Sequence, residues 1–99
     1  MSNANFKIRW SKIARNDLAK LEFVISNKMK LKILRAPRTI IFPEQFQIDQ
    51  YRLDCRRIIV GNYKVLYQFN NEIIRIVRVF NSLHHPEKSL FECTSYQTI

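Results

Sequence analysis

Apolar and polar residues trade places along this chain with two distinct periods. In "NFKIRW" the apolar Phe6, Ile8 and Trp10 alternate with Lys7 and Arg9, the period of two that marks a strand with one buried face. Ser11 follows as a helix N-cap. Ile13, Ala14, Leu18, Leu21, Val24 and Ile25 then recur at three and four residues, opposite Lys12, Arg15, Asn16 and Lys20. That spacing predicts an amphipathic helix with one core-facing stripe, stopping at Asn27. From Lys28 to Arg38 the pattern divides. Met29, Ile33 and Leu34 suit a short helix, whereas Met29, Leu31 and Ile33 alternate as a strand would. The short helix is the better fit, and Pro37 ends it, because proline has no amide hydrogen and disfavours helix at Ala36. "TIIFPEQFQIDQYRLD" shows no period and is interrupted by Pro43. It reads as a connector pinned to the core by Phe42, Phe46 and Tyr51.

"IIVGNYKVLYQFNNEIIRIVRVF", Ile58 to Phe80, contains the only glycine, Gly61, and reads as strand, turn, strand, turn, strand. Asn70-Asn71 fits a two-residue type I′ turn, since asparagine tolerates the positive φ required there. Counting from that turn pairs Phe69 with Glu72, Tyr67 with Ile74, Val65 with Ile76, and Tyr63 with Arg78. This face is mostly apolar and should lie under the helix, with Tyr63 and Tyr67 packing; Arg78, near an edge of it, suits a structural ion pair. The other face carries Lys64, Leu66 and Gln68 beside Ile73, Arg75 and Val77. The expected fold is therefore α+β, with one or two N-terminal helices packed on one face of a four-stranded, mostly antiparallel sheet that the N-terminal strand joins. Lys64 and Arg75 should then stand together on the bare side.

Charge sharpens that picture. Seventeen Lys and Arg against eight Asp and Glu leave a net charge of +9, and Lys28 to Arg38 carries cations without an acid. Such a surface concentrates polyanions around it, pointing to nucleic acid, a nucleic-acid machine or an acidic protein as partner. Ninety-nine residues make one domain, 1–99, with 89–99 read as a flexible tail. The apolar runs are far too short to span a bilayer, so no membrane role is expected. "MSNANFKIRW" shows no secretory signal. Cys55 and Cys93 have no CxxC spacing and read as reduced thiols of a cytoplasmic protein. His84 and His85 follow the last strand, where a group titrating near neutrality could act as general acid or base. Adjacent histidines with no third ligand do not suggest a metal site, and no cofactor motif is present.

The order strand, helix, short helix, three strands, together with "RRIIVGNYKVLYQF" and "IRIVRVFNSLHHPEK", resembles the RelE/ParE toxin superfamily of bacterial type II toxin–antitoxin systems. Its pattern is met by Arg56-Arg57, Gly61, Tyr63-Lys64-Val65-Leu66-Tyr67, Arg78-Val79-Phe80 and Pro86, and "IRWSKIARNDLAKL" looks like its first strand and helix. The likeness runs from Phe6 to Lys88, with a helical region about ten residues shorter than usual. It implies a growth-inhibiting toxin silenced by a cognate antitoxin, with two mechanisms open. RelE-like members are endoribonucleases that cut messenger RNA on the ribosome; ParE-like members poison DNA gyrase. For the first, the resemblance implies Arg57 and Lys64, and His84 on the loop after the last strand would complete a substitute catalytic set. More broadly, Arg57 and Lys64 from the resemblance, with Arg75 from the face pattern and His85 from the loop, are candidate contacts for a polyanion or partner. Asn81 and Leu83 stand where many relatives carry His and Arg. The missing basic group at Leu83 favours the ParE-like action, and whether the chain is an enzyme turns on that choice. A non-toxic basic nucleic-acid-binding module and an inactive toxin relic are further alternatives.

Overall fold

The alternating opening run forms strand β1, Lys7–Trp10, and the three-to-four spacing that follows forms helix α1, Lys12–Leu21. These belong to a computed structural model that describes residues 6–83, so His84, His85, Pro86, Cys93 and the 89–99 segment lie outside the described residues. The Ser11 hydroxyl caps α1 by accepting from the Ala14 amide at 3.0 Å, and it donates to the Val77 carbonyl at 3.1 Å, which fixes the helix start to the sheet. The helix stops at Leu21 rather than Asn27. Ser26 accepts from the Met29 amide at 3.1 Å and so caps a new helix, α2, Asn27–Arg35. Asn27 is thus the first residue of α2, and the cap competes successfully with continuation of α1. Phe23 and Val24, in the turn between the helices, are exposed. The expected short second helix is present; it tightens into a 3-10 turn over Ala36–Thr39, with Pro37 in its first turn where its missing donor costs nothing.

Strands β2 (Arg56–Val60), β3 (Tyr63–Asn70) and β4 (Ile73–Asn81) follow, giving the sheet order β1-β4-β3-β2. β1 runs parallel to β4, while β2–β3 and β3–β4 are antiparallel. Gly61 turns β2 into β3 at φ +60, a backbone conformation that side chains disfavour. An added Cβ would also meet Met29 Cε at 3.0 Å, so α2 packs closely over this turn.

The β3–β4 register differs from the one counted from Asn70-Asn71. Positive φ falls on Asn71 (52°) and Glu72 (65°), and Asn70 pairs with Ile73. Tyr67 therefore faces Ile76, not Ile74, and Phe69 faces Ile74. The third partner accounts for the change: the Lys7 amide donates to the Glu72 carbonyl at 3.0 Å, and β1 takes Ile73 into its ladder. The slip of two residues keeps the side chains between the turn and Ile76 on their expected faces.

A β-bulge then resets the count. Tyr67 pairs with Ile76 but Leu66 with Arg78, leaving Val77 as the extra residue. Val65 accordingly faces Val79 rather than Ile76, and Tyr63 faces Asn81 rather than Arg78. Val77 joins Leu66, Phe80 and Cys55 in a small second core, while Val79 stays with Val65, Tyr67, Ile74 and Ile76 beneath Ala14 and Ile33 of the helices. The sheet is thus packed on both faces. The connector makes the second layer: Asp49 bonds backbone-to-backbone with Cys55, Arg57 with Gln47, and Ile48 bridges to Arg56. Phe46 meets Tyr67 edge-on at 6.3 Å. Tyr51 is half-buried and Phe42 is exposed, so Phe42 is not one of the pins.

Candidate functional site

Because Ile58, Val65, Tyr67, Ile74 and Ile76 point toward the helices, strand alternation puts Arg57, Lys64 and Arg75 on the opposite face. That face is not bare around Lys64. Lys64 is 6% exposed, and its ammonium donates to Asp49 Oδ1 at 2.7 Å, with Asp49 itself at 0%. The rings of Tyr51 and Phe80 lie 5.5 and 5.7 Å from Nζ, one from the connector and one from β4. Asp49 Oδ2 accepts the amides of Tyr51 (3.0 Å) and Arg52 (2.8 Å). An ammonium and a carboxylate desolvated together can persist only if both are paired, and here both are. Lys64 therefore offers no free charge to an incoming phosphate while Asp49 stays in place. The expectation that it stands open beside Arg75 is corrected, because the connector closes over it.

Arg57 is drawn to the same point. Its guanidinium donates to the Ile48 carbonyl (3.3 Å) and Gln47 Oε1 (2.9 Å), and approaches Asp49 Oδ1 at 4.0 Å. The structure thus brings Arg57 and Lys64 together, but on an internal carboxylate. Arg75 stands apart from them. It is exposed, and its register neighbours are Gln68 on β3 and Arg9 on β1. His84 and His85 lie outside the described residues. Arg78 does hold a structural ion pair: Nε and Nη2 donate to Asp17 at 2.8 and 3.1 Å, and Asp17 also accepts the Val79 amide at 3.0 Å. Neither Asp17 nor Asp49 stood out in the sequence. The signal available was scarcity, since with eight acids against seventeen cations any acid on an apolar stripe or beside a pinned connector is a candidate partner for a buried cation.

Tyr67 donates to the Pro43 carbonyl at 2.7 Å and ties down the start of the connector. Burial pushes its phenol above the usual value of 10.0, with the nearby Arg56 charge opposing the rise. On the helix side, a groove of about 770 Å³ is lined by Ile8, Trp10, Leu31, Leu34, Arg35 and Arg38. A neighbouring hollow of about 510 Å³ shares Trp10 and Leu34 and includes Arg15 and the Lys30–Glu22 ion pair. Among the described residues no three His, Cys, Asp or Glu group as metal ligands, and no helix is long and apolar enough to cross a membrane.

The profile of the ParE toxin of the type II toxin–antitoxin system parDE matches residues 8–85. The chain belongs to the ParE toxin family. The fold of this ParE-family chain is also that of solved toxins of low sequence identity. The toxin–antitoxin complex RelBE2 from Mycobacterium tuberculosis has a chain that superposes with a TM-score of 0.62 at 17% identity, covering 81% of this chain and 94% of that one. A mutant of the Escherichia coli toxin RelE in the free state gives 0.62 at 11%, with coverages of 85% and 90%. The chromosomal ParDE system from P. aeruginosa gives 0.52 at 13%, with 80% and 98%. No curated protein matches the sequence. Within the ParE-family frame, β4 ends differently from the pattern expected of RNA-cutting relatives: Asn81 Oδ1 accepts the Leu83 amide at 2.9 Å, and the Leu83 side chain is exposed.

Proposed function

We propose that this ParE-family chain arrests growth when free of its antitoxin, and that it does so without cutting RNA, by acting on DNA gyrase in the cytoplasm. One observation carries the choice of mechanism: Lys64, 6% exposed, is held at 2.7 Å by the buried Asp49. Cleavage by attack of a 2′-hydroxyl needs preorganised donors aimed at the charge that develops on the phosphate. Lys64 and Arg57 spend their donors on the connector, and Leu83 brings none. A protein that works by docking on its target needs no such constellation.

The antitoxin is the partner this reading requires. The groove between β1 and α2 suits it, since Trp10, Leu31 and Leu34 supply apolar anchors, and Arg35 and Arg38 favour an acidic amphipathic segment. A segment that folds as it binds gains most from such a lined groove.

The test is expression from a repressed promoter, with gyrase activity, chromosomal integrity and transcript integrity measured together. Growth arrest with broken DNA, inhibited supercoiling by purified gyrase and intact transcripts is expected. Transcripts cut in the presence of ribosomes, with gyrase unaffected and cutting abolished by Lys64→Ala, would replace this mechanism with the ribonuclease. Unchecked growth would make the chain a relic or a binding module.

A further inference from the structure

On the far sheet face the connector side is packed over β2, β3 and the Val77–Phe80 end of β4, whereas Arg75, near the start of β4, is exposed. On the β1–β4 half, Lys7 and Arg9 alternate with the core-facing Ile8 and Trp10, and Arg9 is paired in register with Arg75. All three cations are exposed, and none has a side-chain hydrogen bond or ion pair among the described residues. Strand geometry sets Lys7 and Arg9 about 7 Å apart along β1, with Arg75 about 4.8 Å across from Arg9. Two acids are near. Asp54 is occupied by Arg52 (2.7 Å) and Gln68 (2.9 Å), and Glu72 sits on the exposed turn just before β4.

We infer that Lys7, Arg9 and Arg75 form a docking strip for the phosphate backbone of duplex nucleic acid, a role independent of how the chain inhibits growth. Charge complementarity and the physics of exposed charge select this occupant. An acidic protein would gain little from three solvated cations, because surface ion pairs are worth at most about 1 kcal/mol each and the aliphatic residue among them, Ile73 in register with Lys7, is half-buried. A nucleic acid releases condensed counterions for every cation that meets a phosphate, so here the same three charges act strongly. The strip also lacks an aromatic ring on which an unpaired base could stack, as a single-strand platform would require. Contacts confined to the backbone carry no sequence preference.

The experiment measures binding of the full chain to a mixed-sequence 20-base-pair DNA duplex across a salt series. The variant Lys7→Gln/Arg9→Gln/Arg75→Gln should flatten the dependence of log affinity on log salt by about 2.7, that is about 0.9 for each lost phosphate contact. A control with the same charge removed from the helices, Lys12→Gln/Lys20→Gln/Lys28→Gln, should change it by less than a third as much. Arg9→Lys/Arg75→Lys, which keeps the charge, should retain the parent slope and shows that the strand tolerates substitution. Equal flattening by both triple variants, or no duplex binding by the parent chain, would overturn the strip. So would a strip variant that keeps duplex binding but loses binding to poly-glutamate, which would assign the surface to an acidic protein instead.

Discussion

The two halves of the far sheet face begin with the same chemistry and end differently. Over β2–β3, Arg57 and Lys64 project into a layer made by the connector, where the carboxylate of Asp49 and the rings of Tyr51 and Phe80 receive the ammonium. Over β1–β4, Lys7, Arg9 and Arg75 project from the same side of the same sheet into water. A cation's position on a strand decides which face it takes. The path of the chain beyond the strand decides whether it is a binding group or a strut. In the covered half the charge serves stability, and in the open half it remains available to a partner.

The largest effect should come from opening the covered half. Asp49→Ala leaves the Lys64 ammonium buried without its carboxylate, and removal of one member of a buried pair typically costs about 3–5 kcal/mol. Urea unfolding should read that loss, and adding Lys64→Met should restore most of it, since an apolar pair of similar volume tolerates burial. A small effect of Asp49→Ala would mean that the connector does not seal Lys64, and the contrast between the halves would fail. Next is Asp17→Ala, which strips the bonds from Arg78 and leaves the Val79 amide without its acceptor; a loss of about 1–3 kcal/mol is expected. It sharpens the comparison by gauging a strut on the helix side.

Alkaline pH probes the connector's other tether. The Tyr67 phenol is raised above 10.0 in the folded chain, so above pH ~10 the unfolded chain releases this proton first. The folded state then binds more protons than the unfolded one, and stability falls as pH rises through that window until the native phenol also ionises. Tyr67→Phe should remove this part of the alkaline slope, as followed by thermal melts at successive pH values. The smallest effect belongs to the open half: Arg75→Gln should change stability by no more than about 0.5 kcal/mol. A larger loss would show that Arg75 has a structural partner and that the open half is not open.

Much of this architecture was legible in local patterns. The alternation of Phe6, Ile8 and Trp10, the stripe of Ala14 and Leu18, and the glycine at 61 each act within a few residues, and the strand, helix and turn stand where they pointed. Asn27 suits a helix stop and a helix start alike, because both recruit small polar residues, and only the Ser26 cap distinguishes them here. Val77 gave no sign of a bulge, since an apolar residue in an apolar strand fits either register. The far-face candidates were the least legible. Arg57, Lys64 and Arg75 look alike in a strand pattern, and the acid that separates their fates lies fifteen residues from Lys64.

Backbone geometry repeats over two residues in a strand and 3.6 in a helix, so a single chain already encodes which elements form, which faces are apolar and how strongly positive the whole must be. Pairing across space has no such local code. The parallel docking of β1 against β4, the shifted hairpin register and the closure of the connector over Lys64 each depend on groups far apart in the chain, and become energetically defined only when the assembled core excludes water around them.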